Sequence, residues 1–273
     1  MAFDRFVLAS DFKRIETRFN MALLHATEEY LPSFNLAASD KCYVITNYQT
    51  KEIIQFEFGI KGLHMQQSEI VLFVRAEGDR NSDDDPNYKG SKAIFLQPEF
   101  MNIIRQQRCL VLADAFVVGV EKMNPYLVYL RYKQRPFAFA GIYNKHLGDD
   151  GEEVTSFAII TVPANKLMQQ LGYKRMPVIL QQHYESNYIR KSTQLSEILS
   201  MLDPYPHNLM NAFPISNKIA DITINDISLV QPIGKPVYNE NVTYKKNPRL
   251  GIVERNHSDI TFAEIAKRTR GEK

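Results

Sequence analysis

Arg108-Cys109-Leu110-Val111-Leu112-Ala113-Asp114-Ala115-Phe116 opens an apolar run that continues to Val120 and reads as sheet. Similar short runs, bounded by turn residues, precede it at 42–46, 53–60 and 70–74 and follow it at Tyr126–Leu130, 137–142 and 157–161. Strands at this spacing with few long helices predict an α+β fold whose core is a curved, barrel-like sheet with helices packed outside. Ser10 is placed to cap an opening helix in which Phe12, Ile15, Phe19, Leu23 and Leu24 recur at helical spacing. Shorter helices are expected at 98–107, 165–171, 184–190 and 196–202.

Two segments depart from this pattern. Residues 79–90 hold four Asp, two Asn, a Pro and a Gly with almost nothing apolar, which predicts a poorly ordered surface loop. Residues 241–273 carry eight Lys/Arg against four Asp/Glu, and Thr261 with Glu264 forms a capping-box pattern for a short basic helix. The expected organisation is one domain over 1–238 and a basic extension over 239–273.

The 273 residues are 44% apolar and 23% charged, enough to bury one large core. With 33 Lys+Arg against 31 Asp+Glu, a formal +2, any affinity for nucleic acid has to come from local clustering of charge. Cys42 and Cys109 sit in strand-like runs and read as core fillers in a reducing compartment. The start, Met1-Ala2-Phe3-Asp4-Arg5-Phe6, lacks the pattern of a signal peptide, and no apolar run reaches the roughly 20 residues that span a bilayer. The expected location is the cytoplasm, at the nucleoid when bound to DNA.

The six histidines show no paired spacing with Cys, Asp or Glu that suits a metal, and no Gly-rich phosphate loop or G-x-S-x-G turn occurs. No metal or cofactor is expected. Arginines at the ends of apolar strands stand out: Arg75, Arg108 and Arg175. Such a guanidinium offers five rigid donors to a phosphate, unless it merely pairs with a carboxylate such as Glu77 or Asp114.

Taken together, Phe58-Gly59-Ile60, Arg75-Ala76-Glu77, Arg108 to Phe116, Phe139-Ala140-Gly141-Ile142, Ile160 to Asn165, Arg175-Met176-Pro177-Val178-Ile179-Leu180 and Pro214-Ile215-Ser216 follow one another as in the SRAP family. These are the SOS-response-associated peptidases, or abasic-site processing proteins. The resemblance covers about residues 1–232. It implies a single α/β domain with a barrel-like core and a positively charged cleft for single-stranded DNA. It also implies a chemistry in which an N-terminal cysteine traps the abasic-site aldehyde as a thiazolidine, assisted by an Asn, a Glu and a His.

Those four positions fall here on Ala2, Phe73, Val118 and Tyr173. Without sulfur a thiazolidine cannot close, and Phe and Val cannot carry protons. The family positions that face DNA fall on Arg5, Arg75, Arg175, Thr161 and, for a stacking tryptophan, Phe58. The resemblance therefore implies a protein that binds single-stranded or damaged DNA without the crosslinking reaction. Two alternatives stand beside it: Schiff-base chemistry on abasic sites through the Ala2 α-amine, and a protein-interaction module.

Overall fold

The computed structural model describes residues 2–23, 30–46, 52–61, 70–132, 134–148 and 151–239. In chain order these form β1 (Arg5–Leu8), α1 (Phe12–Phe19), β2 (Ala22–Leu23), β3 (Ser33–Leu36), β4 (Lys41–Thr46), β5 (Glu52–Phe58) and β6 (Phe73–Arg75). There follow α2 (Ile103–Gln106), β7 (Arg108–Ala113), β8 (Ala115–Val118), β9 (Tyr126–Leu130), β10 (Phe137–Leu147) and β11 (Glu153–Pro163). The last elements are α3 (Lys166–Gln170), β12 (Arg175–Pro177), α4 (Gln182–Ile189), α5 (Leu195–Ser200) and β13 (Met210–Pro214). The expected 239–273 extension, with its capping box, lies outside the described residues except for Asn239.

The barrel expectation holds. Strands pair in the order β11-β10-β7-β4-β5, and β5 returns to β11 in parallel through Glu57↔Ser156 and Phe58↔Phe157, closing the ring. Its interior is aromatic: Phe58 stacks on Phe157 at 5.2 Å, and Phe3 stacks on Phe139 at 5.6 Å. A second sheet, β13-β9-β8-β1-β3, packs beside it and carries its own apolar cluster around Val7, Leu127 and Ile219. The fold is thus α+β, as the strand spacing implies.

The opening run differs from one continuous strand, because it breaks at Asp114. Its first half, β7, belongs to the barrel and its second, β8, to the neighbouring sheet. The buried Asp114 carboxylate holds that corner, accepting from the Ala9 and Ser10 amides at 2.6 Å each and from the Ser10 hydroxyl at 2.7 Å. Ser10 is therefore engaged across the chain, and Asp11 caps α1 instead, its side chain accepting from the Arg14 amide at 2.8 Å. The helix stops at Phe19, where Asn20 turns left-handed at φ 53°; Leu23 belongs to β2, and Leu24 is outside the described residues. The other short helices fall where expected, with α2 cut to a single turn.

The 79–90 segment is the clear correction. It is a folded turn, with a 3-10 turn at Gly78–Asn81 and Asn81 only 4% exposed. Asn81 accepts from the Asp85 amide at 2.9 Å and donates to the Asp85 carbonyl at 3.2 Å. Composition alone suggested mobility because it does not reveal that these polar groups satisfy one another.

Candidate nucleic-acid interface

β11 organises the site. β6 pairs with it in parallel, setting Arg75 opposite Thr161, while β12 pairs with it antiparallel on the same stretch, setting Arg175 opposite Pro163 and Pro177 opposite Thr161. Two strand-end arginines thus converge on one residue. Arg175 Nε donates to Thr161 Oγ1 at 3.0 Å and Nη2 to the Thr161 carbonyl at 2.8 Å. The Thr161 hydroxyl passes its own hydrogen to the Val74 carbonyl at 3.2 Å, tying β6 to the same point.

Carboxylates complete the cluster. Arg175 Nη2 also donates to Glu77 Oε2 at 2.9 Å, and Nη1 reaches Asp84 Oδ1 at 3.3 Å. Asp84 in turn accepts from Arg75 Nε at 2.8 Å and, through its other oxygen, from Nη2 at 3.3 Å. Burial pushes the Asp84 carboxyl up, but the hydrogen bond from Arg75 and the charge of Arg175 outweigh it and hold the group below its ordinary value. The Arg75 side chain is 42% exposed and that of Arg175 only 6%. The first therefore faces solvent and the second lies beneath it.

Ala2, Phe73, Arg75, Asp84, Thr161 and Arg175 border a cavity of about 260 Å³. A smaller one of about 150 Å³ also touches Phe73 and is bordered by Phe3, Asp4, Arg5, Phe58 and Glu121 among others. Arg5 Nη1 donates to the Asp4 carbonyl at 2.8 Å, while its buried Nε has no hydrogen-bond partner among the described residues. Phe58 is 2% exposed and engaged edge-on by Phe6 and Phe73, so its ring belongs to the core and offers a base no open face here. Arg108 is also withdrawn: fully buried, it donates to the carbonyls of Ile104, Arg105, Tyr188 and Arg190.

Of the four positions where the resemblance places chemistry, Ala2 and Phe73 border the larger cavity. Ala2 is 2% exposed and Val118 1%. The Phe73 ring meets Phe3 edge-on at 4.8 Å, one wall of the barrel's aromatic cluster. Tyr173 is held by the β8–β9 turn, where Gly119 adopts φ 87° and a Cβ would strike the Asn124 carbonyl at 2.3 Å. The Gly119 N–H donates to the Tyr173 hydroxyl at 2.5 Å, and that hydroxyl donates to Asp4 Oδ2 at 3.4 Å. Burial, reinforced by the Asp4 charge, pushes the phenol up to about 12.

The SOS response associated peptidase (SRAP) family model matches residues 4–222. The chain belongs to the SRAP family. Among its curated relatives, the abasic site processing protein YoqW of Bacillus subtilis is 27% identical over 236 residues, which is 83% of this chain and 98% of that one. YoaM, an abasic site processing protein of the same organism, is 26% identical over 234 residues, 83% of this chain and 96% of its own. A solved structure from Bacteroides thetaiotaomicron shares the fold at TM-score 0.66 and 24% identity, covering 84% of this chain and 98% of that one. One from Bordetella bronchiseptica aligns at TM-score 0.60 and 17% identity, over 78% and 99%.

The sequence reading missed Asp84 as a member of the site. The available signal was a run of aspartates a few residues downstream of Arg75. Glu77 was foreseen as an arginine's partner and is one, though of Arg175, whereas Asp114 serves backbone amides. Among the described residues no group of three or more His, Cys, Asp or Glu is arranged to hold a metal, and no helix is long and apolar enough to cross a membrane.

Proposed function

We propose that this SRAP chain binds the backbone of single-stranded or abasic DNA through Arg5, Arg75 and Arg175, and does not form the thiazolidine crosslink that the family resemblance implies. The observation that carries the reading is the convergence of Arg75 and Arg175 on Thr161 beside Ala2. Guanidinium groups fixed at strand ends match the oxygens of a phosphate. The names of YoqW and YoaM support DNA as the partner. Loss of crosslinking follows from the side chains at the four positions. Sulfur is also out of reach: Cys42 and Cys109 are buried among apolar groups, which pushes both thiols up and keeps them unreactive.

Fluorescence anisotropy with a labelled single-stranded oligonucleotide tests the binding half. Affinity should fall steeply between low and moderate salt, as counterion release requires. Absence of binding at low salt would end the reading. Denaturing electrophoresis after incubation with abasic single-stranded DNA tests the other half, where no heat-stable adduct should form.

A second reading has its own observation, the position of Ala2 in the wall of the larger cavity. Removal of Met1 would leave an α-amine with an ordinary pKa near 8, partly neutral at pH 7. Its nitrogen adds to the abasic aldehyde carbon, and loss of water gives an imine. Borohydride trapping that disappears when the N-terminus is blocked identifies it.

A further inference from the structure

We propose that Asp84 is a built-in phosphate surrogate, a carboxylate seated on the Arg75 fork that closes the site until a nucleic-acid phosphate displaces it. The proposal rests on the reading of Arg75 as a phosphate contact. Of the four aspartates between 79 and 85, Asp79, Asp83 and Asp85 are exposed, and Asp84 alone turns inward. It does so at φ 54°, a left-handed conformation uncommon outside glycine, in a turn where its amide donates to the Asn81 carbonyl at 3.2 Å. The buried Asn81 clamps the next residue from both sides. The backbone is thus built to aim this carboxylate at the arginines.

The two Asp84 oxygens lie on Arg75 Nε and Nη2, and Oδ1 also lies near Arg175 Nη1. Two oxygens of a phosphate would take the same donors. Two guanidinium groups and the carboxylates of Glu77 and Asp84 leave the closed cluster with no net charge. With Asp84 swung out, the cluster gains one positive charge and Arg75 is free. The exchange is feasible because the outer pair is open to water, the Asp84 side chain being 26% exposed. Arg175 stays fixed by Glu77 and Thr161 throughout.

A partly exposed ion pair of this kind implies competition of about fivefold. The test is anisotropy of a labelled oligothymidine at low salt with the full chain, Asp84→Asn, and Asp84→Asn combined with Arg75→Gln. The single variant should bind about fivefold more tightly than the unaltered chain, and adding Arg75→Gln should remove the gain. Equal or weaker binding by a folded Asp84→Asn overturns the proposal while leaving DNA binding itself intact. If no version binds the oligonucleotide, the DNA reading falls, and calorimetric titration with inorganic pyrophosphate decides the gate: binding by Asp84→Asn but not by the unaltered chain sustains it, and any other result overturns it. Should Asp84→Asn fail to fold, Asn81→Ala, which releases the turn and keeps the carboxylate, must show the same gain or the proposal fails.

Discussion

Arg175 Nη2 lies 2.9 Å from Glu77 Oε2, with the two side chains 6% and 1% exposed, so this edge of the guanidinium is committed to the protein before any ligand arrives and only Nη1 is left for one. Removing one member of a buried pair costs up to about 3–5 kcal/mol, and here the loss is moderated because Asp84 Oδ1 stays 3.3 Å from Arg175 Nη1. Glu77→Ala should therefore lower stability by that order in urea unfolding, and Glu77→Leu with Arg175→Met should recover much of the loss. A loss below about 1 kcal/mol in Glu77→Ala would show that the pair does not organise the site.

Arg75 should behave differently, because it is 42% exposed and its partner is a carboxylate open to water. Arg75→Gln should leave the melting temperature nearly unchanged, weaken single-stranded DNA binding and lower the slope of log affinity against log salt by about 0.7, the contribution of one phosphate. Arg5→Gln should do the same. Salt titrations of each variant distinguish phosphate contacts from positions that merely support the fold.

Restoring a thiol alone should not restore crosslinking. In Ala2→Cys the new thiol would share its cavity with Phe73, and Tyr173 would remain tied to the Gly119 amide and Asp4. Positioned acid–base groups contribute about 10²–10⁴-fold to such reactions, and that factor should be missing. Time courses on abasic single-stranded DNA should show heat-stable adduct accumulating slowly, if at all. Rapid, complete adduct formation would mean that side chains outside these four positions move the protons.

The barrel was legible because short apolar runs bounded by turn residues recur at close spacing with few long helices between them, and β7 and the first seven residues of β10 are indeed buried throughout. The corner at Asp114 was not, since one acid in an apolar run looks like an interruption until the Ala9 and Ser10 amides that it serves are brought from 104 and 105 residues away. The arginines were legible as strand ends, but not their fates. Arg108 and Arg75 share a sequence context, yet four carbonyls surround the first and solvent reaches the second. Asp84 was hidden for a related reason: an acidic run reads as solvated until the fold places two guanidinium groups against one of its members.

Tyr173 gives the site a signature in alkali. Its phenol is pushed up to about 12 by burial and by Asp4, against about 10 in the unfolded chain. Between those values the unfolded chain has lost the proton and the folded one keeps it, so the unfolded state binds fewer protons and stability falls as pH rises. This contribution is complete below pH 10 and is lost on approach to pH 12. Tyr30 and Tyr188, also raised by burial, add to the same trend, so the Tyr173 share has to be isolated by difference. Tyr173→Phe should remove one late-titrating phenolate from the ultraviolet absorbance of the folded protein and make the decline of melting temperature above pH 10 shallower. A lost component that titrates near 10 instead of near 12 would show that the Asp4–Tyr173–Gly119 link is open in solution.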